Sequence, residues 1–230
     1  SLVGSEMCIR DSSGEAVAAW GRLGYPRRAL RLHSCAVAIA TEHDGVVPNS
    51  YDELVALPGI GDYTASAVVS FAFGGRATVL DTNVRRLIAR AESGIANCPT
   101  SVTRAERVVA DALVPDEDVR AAKWAVASME LGALVCTARS PQCEVCPIRD
   151  GCRWVIDGRP DNAPARRGQP WKGTDRQCRG VIMDVVRNSP RGVKVQMALS
   201  AWPEPDQASR CLESLLDDGL VHRRGSLISL

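Results

Sequence analysis

Lysine is nearly missing from this 230-residue sequence, standing only at Lys123, Lys172 and Lys194. Chemistry that needs an amine nucleophile therefore has no candidate in the first 122 residues. Net charge is missing too. The 28 basic side chains meet 27 acidic ones and leave +1, so total charge does not mark a nucleic-acid partner. No long hydrophobic run occurs: the longest apolar stretch, Ala65 to Phe73, is far short of the ~20 residues that cross a bilayer. No charged-then-apolar leader opens the chain. The expectation is a soluble, cytoplasmic protein with no membrane partner. No repeat at solenoid periods is visible, and residues 14–156 hold no convincing alternating strand.

What is present is ordinary in bulk. Apolar content of 45% and charged content of 24% suit a globular chain long enough for one large domain or two smaller ones. From Gly14 to Ile156 the pattern is helix after short helix. Ser50 with Glu53, and Thr103 with Glu106, are capping boxes that mark two helix starts. Ala65, Val68, Val69, Ala72 and Phe73 recur at helical spacing and predict one buried stripe. Ala121 to Val135 is a second long helical run. The Pro-, Gly- and Arg-rich stretch 158–174 reads as a linker. Beyond it, helical runs near 175–188, 195–202 and from Asp206 precede a terminal hairpin around Arg223 to Gly225. Those elements fit either a winged helix-turn-helix or a small helical appendage. The boundaries are thus 1–13, an atypical N-terminal junction; 14–135, the main helical domain; 136–157, a cysteine loop; 158–174; and 175–230.

Two basic clusters stand out, Arg159 to Arg179 and Arg22, Arg27, Arg28 and Arg31; a charge run of this kind is most often a solvated helix face. In "LPGIGDYT", Gly59 and Gly61 permit a tight turn whose backbone N–H groups can approach a partner closely. A helix starting just after it adds free N–H groups that suit a phosphate. Among nine cysteines, Cys136, Cys143, Cys146 and Cys152 are spaced C-x6-C-x2-C-x5-C. Zinc sites usually pair two C-x-x-C hooks, and this loop has one, so the spacing favours an iron–sulfur cluster and leaves zinc open. Cys8, Cys35, Cys98, Cys178 and Cys211 read as isolated buried thiols.

"LPGIGDYTASAVV", "VLDTNVRRLIAR" and the cysteine quartet, in this order, resemble the endonuclease-III superfamily of helix-hairpin-helix DNA glycosylases, over about Trp20 to Cys152. Within it, "GIGDYTASAV" and "VLDTNVRR" look most like adenine DNA glycosylases of the MutY type. The resemblance implies a mainly α fold: a helix-hairpin-helix glycosylase domain with an iron–sulfur loop, and a small winged-helix-like region after it. It implies a 4Fe–4S cluster on the four cysteines and a hairpin, with Leu57, Gly59, Gly61 and Thr64, that grips the backbone of double-stranded DNA. It makes Asp81 the catalytic carboxylate, with Asn83 as its polar partner, although an Asp there is also a natural N-cap. Arg85 and Arg86 are expected to face phosphate or solvent. Bifunctional members carry a lysine where this chain has Tyr63, so a monofunctional enzyme is expected; a core tyrosine with its hydroxyl at the surface is the plainer reading of that residue.

One motif is missing. Family members carry a general-acid glutamate in a segment resembling "SEIMLQQT", and here only "SEM" around Glu6 echoes it. The expectation is that the N-terminal segment is lacking. Many members also end in a Nudix-like domain that recognises 8-oxoguanine, and this tail of about 55 residues is too short and too helical to be one. The expected function is monofunctional removal, in base-excision repair, of adenine mispaired with 8-oxoguanine or guanine, by a monomer associated with the nucleoid. A non-catalytic iron–sulfur DNA-binding protein and an endonuclease-III-like glycosylase for oxidised pyrimidines are the alternatives.

Overall fold

The structure, a computed structural model, describes residues 13–161 and 171–230. Its helices in chain order are α1 (Ser13–Trp20), α2 (Arg27–Glu42), α3 (Tyr51–Ala56), α4 (Asp62–Ala67), α5 (Thr82–Ser93), α6 (Arg104–Leu113), α7 (Asp118–Glu130) and α8 (Arg153–Ile156). After the residues not described come α9 (Asp175–Arg187), β1 (Val193–Lys194), α10 (Val195–Leu199), α11 (Pro205–Asp217), β2 (His222–Arg224) and β3 (Leu227–Ser229). Contacts divide the chain into two compact units. One holds Pro48–Ala56 and Ile60–Arg166; the other holds Ser1–Val47, Leu57–Gly59 and Arg167–Leu230, each as far as it is described.

The first unit is all helical among the described residues. The capping box at Thr103 forms, with Thr103 accepting from the Glu106 N–H while Glu106 reaches back to the Thr103 N–H. At Ser50 the hydroxyl accepts from the Glu53 N–H at 3.4 Å and donates to the Glu53 carboxylate, so only half of the expected box is present. Two helices end in π turns, α4 through Val68–Ala72 and α7 through Leu131–Val135. The first of these corrects the expected apolar stripe. Ala65 and Val69 are buried, but the extra residue per turn rotates Ala72 and Phe73 off the buried face, and Phe73 is 46% exposed. One core of this unit gathers Leu80, Val84, Ile88 and Ala110.

The second unit has a winged-helix order of elements. Helices α9, α10 and α11 pack with a three-stranded antiparallel sheet of order β1-β3-β2. Ile182, Leu215, Leu220 and Ile228 are fully buried at its centre. The sequence boundaries 14–135 and 175–230 separate α1 and α2 from this tail, yet Val17 and Ala29 sit in the same core as Ile182 and Leu215. Ion pairs cross the contact, Arg22 with Asp184 at 3.1 Å and Arg27 with Asp218, which Arg179 of the tail also holds. The Arg27 hydrogen bond, seconded by Arg179, holds the Asp218 carboxyl below its usual range. The N-terminal basic cluster is the solvated face expected of it, all four arginines being exposed, and two of them, Arg22 and Arg27, are also paired. Cys178 and Cys211, expected to be isolated, are neighbours in one core, their thiols donating to the carbonyls of Gln207 at 3.9 Å and Asp175 at 3.7 Å. Burial first, and then Cys211, push the Cys178 thiol up to about 12. Cys8 and most of the expected linker lie outside the described residues, as does the N-terminal junction apart from Ser13.

Candidate active site and cluster loop

The run "VLDTN" ends an extended stretch and starts α5, and Asp81 caps that helix. Its Oδ1 accepts from the backbone N–H groups of Asn83 at 2.8 Å and Val84 at 2.7 Å. The cap reading is therefore correct, but it uses only one oxygen. Oδ2 accepts from Asn83 Nδ2 at 2.8 Å, so the side chain predicted as its partner is in place. Asp81 is only partly buried, which leaves its carboxylate within reach of a ligand.

The network continues inward. Arg86 donates to Asn83 Oδ1 at 2.9 Å, to the Cys136 carbonyl at 2.7 Å and to the Gly132 carbonyl. One turn later Arg90 donates to the carbonyls of Ala96, Thr137 and Ala138, and to Cys136 Sγ at 3.3 Å, while its guanidinium stacks 4.6 Å from the centre of the Trp154 ring. A single helix thus ties the carboxylate to the first cysteine of the quartet. Sequence reasoning missed Arg86 and Arg90 in this role; the signal was two arginines at i, i+4 on the helix face that also carries Asn83.

Arg85 and Arg86 do not face phosphate or solvent. Both are buried. Arg85 forms a two-pronged pair with Glu106, at 2.6 and 2.9 Å, and donates to the carbonyls of Pro99 and Ser101. Its donors are spent inside the fold, which removes it from the DNA-facing set. Burial, and then the nearby Arg90 charge, pull the Arg86 guanidinium below its ordinary value, with Cys136 and Asp81 acting the other way.

Gly132 explains how the end of α7 comes so close to α5. A Cβ built there would lie 2.6 Å from the Asn83 carbonyl oxygen and 2.8 Å from its carbon. Only a residue without a side chain fits.

All four loop cysteines line one small hollow, together with Leu87, Arg90, Pro141 and Trp154. A lone tetrahedral zinc would draw thiolates to about 3.8 Å of one another. Among the described residues no three donor side chains converge as a single ion requires. Four thiols around a shared cavity suit a larger, polynuclear group. Burial raises the Cys146 thiol, and the other three cysteines raise it further. Such crowding favours ionisation only when positive metal charge is bound among them.

In the hairpin, Gly59 takes a positive φ of 76°, and a Cβ there would strike the Arg31 side chain at 2.5 Å. Gly61, in extended backbone, is the N-cap of α4. Asp62, the first residue of that helix, is held by the Tyr51 hydroxyl at 2.8 Å and by Arg107. The hairpin apex therefore presents no unpaired carboxylate. Tyr63 is 44% exposed, and its hydroxyl joins no hydrogen bond among the described residues. Thr64 is partly buried on the same helix. Glu6 lies outside the described residues.

Comparison with known proteins gives these features a family. Residues 42–71 match the helix-hairpin-helix motif, and residues 136–152 match the iron-sulfur binding domain of endonuclease III. The adenine DNA glycosylase of Mycolicibacterium smegmatis is 51% identical over 210 residues, covering 91% of this chain and 70% of that protein. The chain belongs to the adenine DNA glycosylase family. It is a glycosylase, hence a hydrolase, and a 4Fe–4S cluster is its cofactor. The human adenine DNA glycosylase is 37% identical over 135 residues, covering 58% of this chain and 24% of that protein. Among solved structures, a thermostable thymine-DNA glycosylase superposes with a TM-score of 0.56 at 26% identity, covering 66% of this chain and 70% of that one. A trapped endonuclease III–DNA covalent intermediate gives 0.51 at 26% identity, covering 68% and 76%. No described helix is long and apolar enough to cross a membrane.

Proposed function

We propose that the chain is a monofunctional DNA glycosylase that hydrolyses the N-glycosidic bond of adenine mispaired with 8-oxoguanine or guanine, acting as a monomer at the nucleoid in the cytoplasm. The observation that carries this reading is Asp81, a carboxylate anchored at a helix N-terminus and still partly open. The adenine must leave the base stack to reach such a group, at a cost of about a few kcal/mol. As the glycosidic bond lengthens, positive charge grows on the sugar. A carboxylate that is already oriented stabilises that charge without reorganisation. Asn83 keeps the carboxylate in that orientation. Water then adds at C1′ and gives up a proton, and adenine leaves as the neutral base by taking one up.

Tyr63 supports the monofunctional assignment. A phenol forms no Schiff base, and Lys123 is the first lysine in the chain. Leu57, Gly59, Gly61 and Thr64 are assigned to the DNA backbone through the hairpin. Cys136, Cys143, Cys146 and Cys152 are assigned to the 4Fe–4S cluster, which stiffens the loop that Arg86 and Arg90 join to the Asp81 network.

The test is a single-turnover assay on a duplex with one adenine opposite 8-oxoguanine, worked up with and without alkali. Strand breakage only after alkali is the expected result, and Asp81→Asn is expected to lower the rate by at least about 100-fold while duplex binding persists. Breakage without alkali would overturn the monofunctional assignment. Full activity of Asp81→Asn would remove Asp81 from the mechanism.

A further inference from the structure

The wing of the second unit carries charge that the glycosylase reading leaves unused. Directly opposed residues in an antiparallel ladder share a face. Val193 and Ile228 are paired in register and buried, so they define the inner face of the sheet. The next rung, Lys194–Leu227–Arg224, and His222 two residues from Arg224, therefore point outward. All four are exposed. Arg223 lies on the edge strand and is exposed despite its inner register, with its Nε donating to the Gly225 carbonyl at 3.0 Å. Arg191, exposed just before β1, extends the patch. Residues 189–203 and 219–230 contain no Asp or Glu. Among the described residues none of Arg191, Lys194, Arg223 and Arg224 is in an ion pair.

The neighbouring helix has the opposite character. In a helix-turn-helix, the second helix, here α11, is the one that enters the major groove. Its exposed acids are Asp206, Glu213 and Asp217, with Glu204 just before it, and its exposed Arg210 is paired with Asp175 at 3.0 Å. That surface repels phosphate. Unpaired cations with no acid among them on the sheet, beside an acidic helix, fit a polyanion approached by the wing alone.

We propose that the outer face of this wing, Lys194 and Arg224, with Arg223 on its exposed edge strand and Arg191 just before β1, binds the phosphate backbone of DNA and gives the chain a second, sequence-independent duplex contact. The proposal rests on the reading of the chain as acting on DNA, but its readout is binding rather than base release. Each cation on a phosphate releases counterions and contributes about 0.9 to the slope of log K against log salt.

The experiment measures binding of the full, cluster-loaded chain to an undamaged duplex across a salt titration. The triple substitution Lys194→Gln, Arg223→Gln, Arg224→Gln is expected to lower the slope by about 2 to 3 and to weaken binding at least about tenfold at low salt. Arg223→Lys with Arg224→Lys is expected to keep the wild-type slope, and Glu213→Gln on α11 is expected not to lower it. Ser226→Asp at the exposed turn provides a second perturbation that removes no side-chain contact, and it is expected to weaken binding as well. A wild-type chain that does not bind the undamaged duplex, or a folded triple variant with an unchanged slope, overturns the proposal, and the patch then faces another acidic partner. Adenine release with no change in slope would sink this inference alone; a reduced slope without adenine release from any duplex would sink the catalytic reading alone.

Discussion

Replacing Gly132 by alanine sets two known effects against each other. Gly132 lies in the π turn that ends α7 and does not have a positive φ, so helix propensity alone favours alanine by about 1 kcal/mol. Contact opposes it. The new Cβ would sit 2.6 Å from a backbone oxygen and 2.8 Å from a backbone carbon of Asn83, and neither can rotate away. Ordinary contact between such atoms is about 3.5 Å, so the two helices must part by nearly 1 Å. Overpacking of that kind costs about 1–3 kcal/mol. Separation also stretches the Arg86 bond to the Gly132 carbonyl, a charged hydrogen bond contributing about 1.5–3 kcal/mol. The contact terms win, and net destabilisation of about 1.5–5 kcal/mol is expected if the hydrogen bond is lost in full. Gly180 on α9 is the control: nothing lies within 4 Å of its Cβ position, so alanine there is expected to stabilise by about 0.5–1 kcal/mol. Because Asn83 holds Asp81, the Gly132→Ala variant is also expected to lose about tenfold to 100-fold in single-turnover rate. Urea unfolding and the base-release assay read both effects. A Gly132→Ala protein as stable and as active as the wild type would refute the close-approach argument.

Other perturbations separate structural roles from binding roles. Arg85→Ala leaves the Glu106 carboxylate buried and unpaired, so unfolding is expected to cost about 3–5 kcal/mol less; if Arg85 instead met DNA, the salt slope of binding would fall while stability held. Arg90→Ala removes one donor group from four loop carbonyls and from Cys136 Sγ, and iron per chain after gel filtration is expected to drop well below that of Arg90→Lys. Cys178, with its thiol raised to about 12, is expected to resist alkylation in the native protein at pH 8 and to react once unfolded. Because its folded value lies above the unfolded one, its contribution to stability is complete below about pH 8.5 and falls as pH rises towards 12; Cys178→Ala is expected to flatten that alkaline decline in a pH series of melts.

The sequence by itself determined the features that close over a few residues. The helix caps at Ser50 and Thr103, the hairpin glycines, the N-cap at Asp81 with Asn83 two positions on, and the spacing of the four cysteines all depend on groups near in chain, where backbone geometry leaves few alternatives. The terminal hairpin around Gly225 was legible for the same reason. Tertiary structure decided the rest. Arg85 and Arg86 are adjacent and chemically identical, and a helical step of about 100° sends one to Glu106 and the other to carbonyls some 50 residues away. The π turn at Val68 moved Phe73 out of a stripe whose spacing assumed a regular helix. No local signal announces that Gly132 must meet Asn83, that Cys178 must meet Cys211, or that α1 and α2 share a core with the winged-helix tail. Such pairings are selected by which apolar faces can be buried together, and that choice belongs to the whole chain, because burial is non-directional and local spacing does not specify the partner.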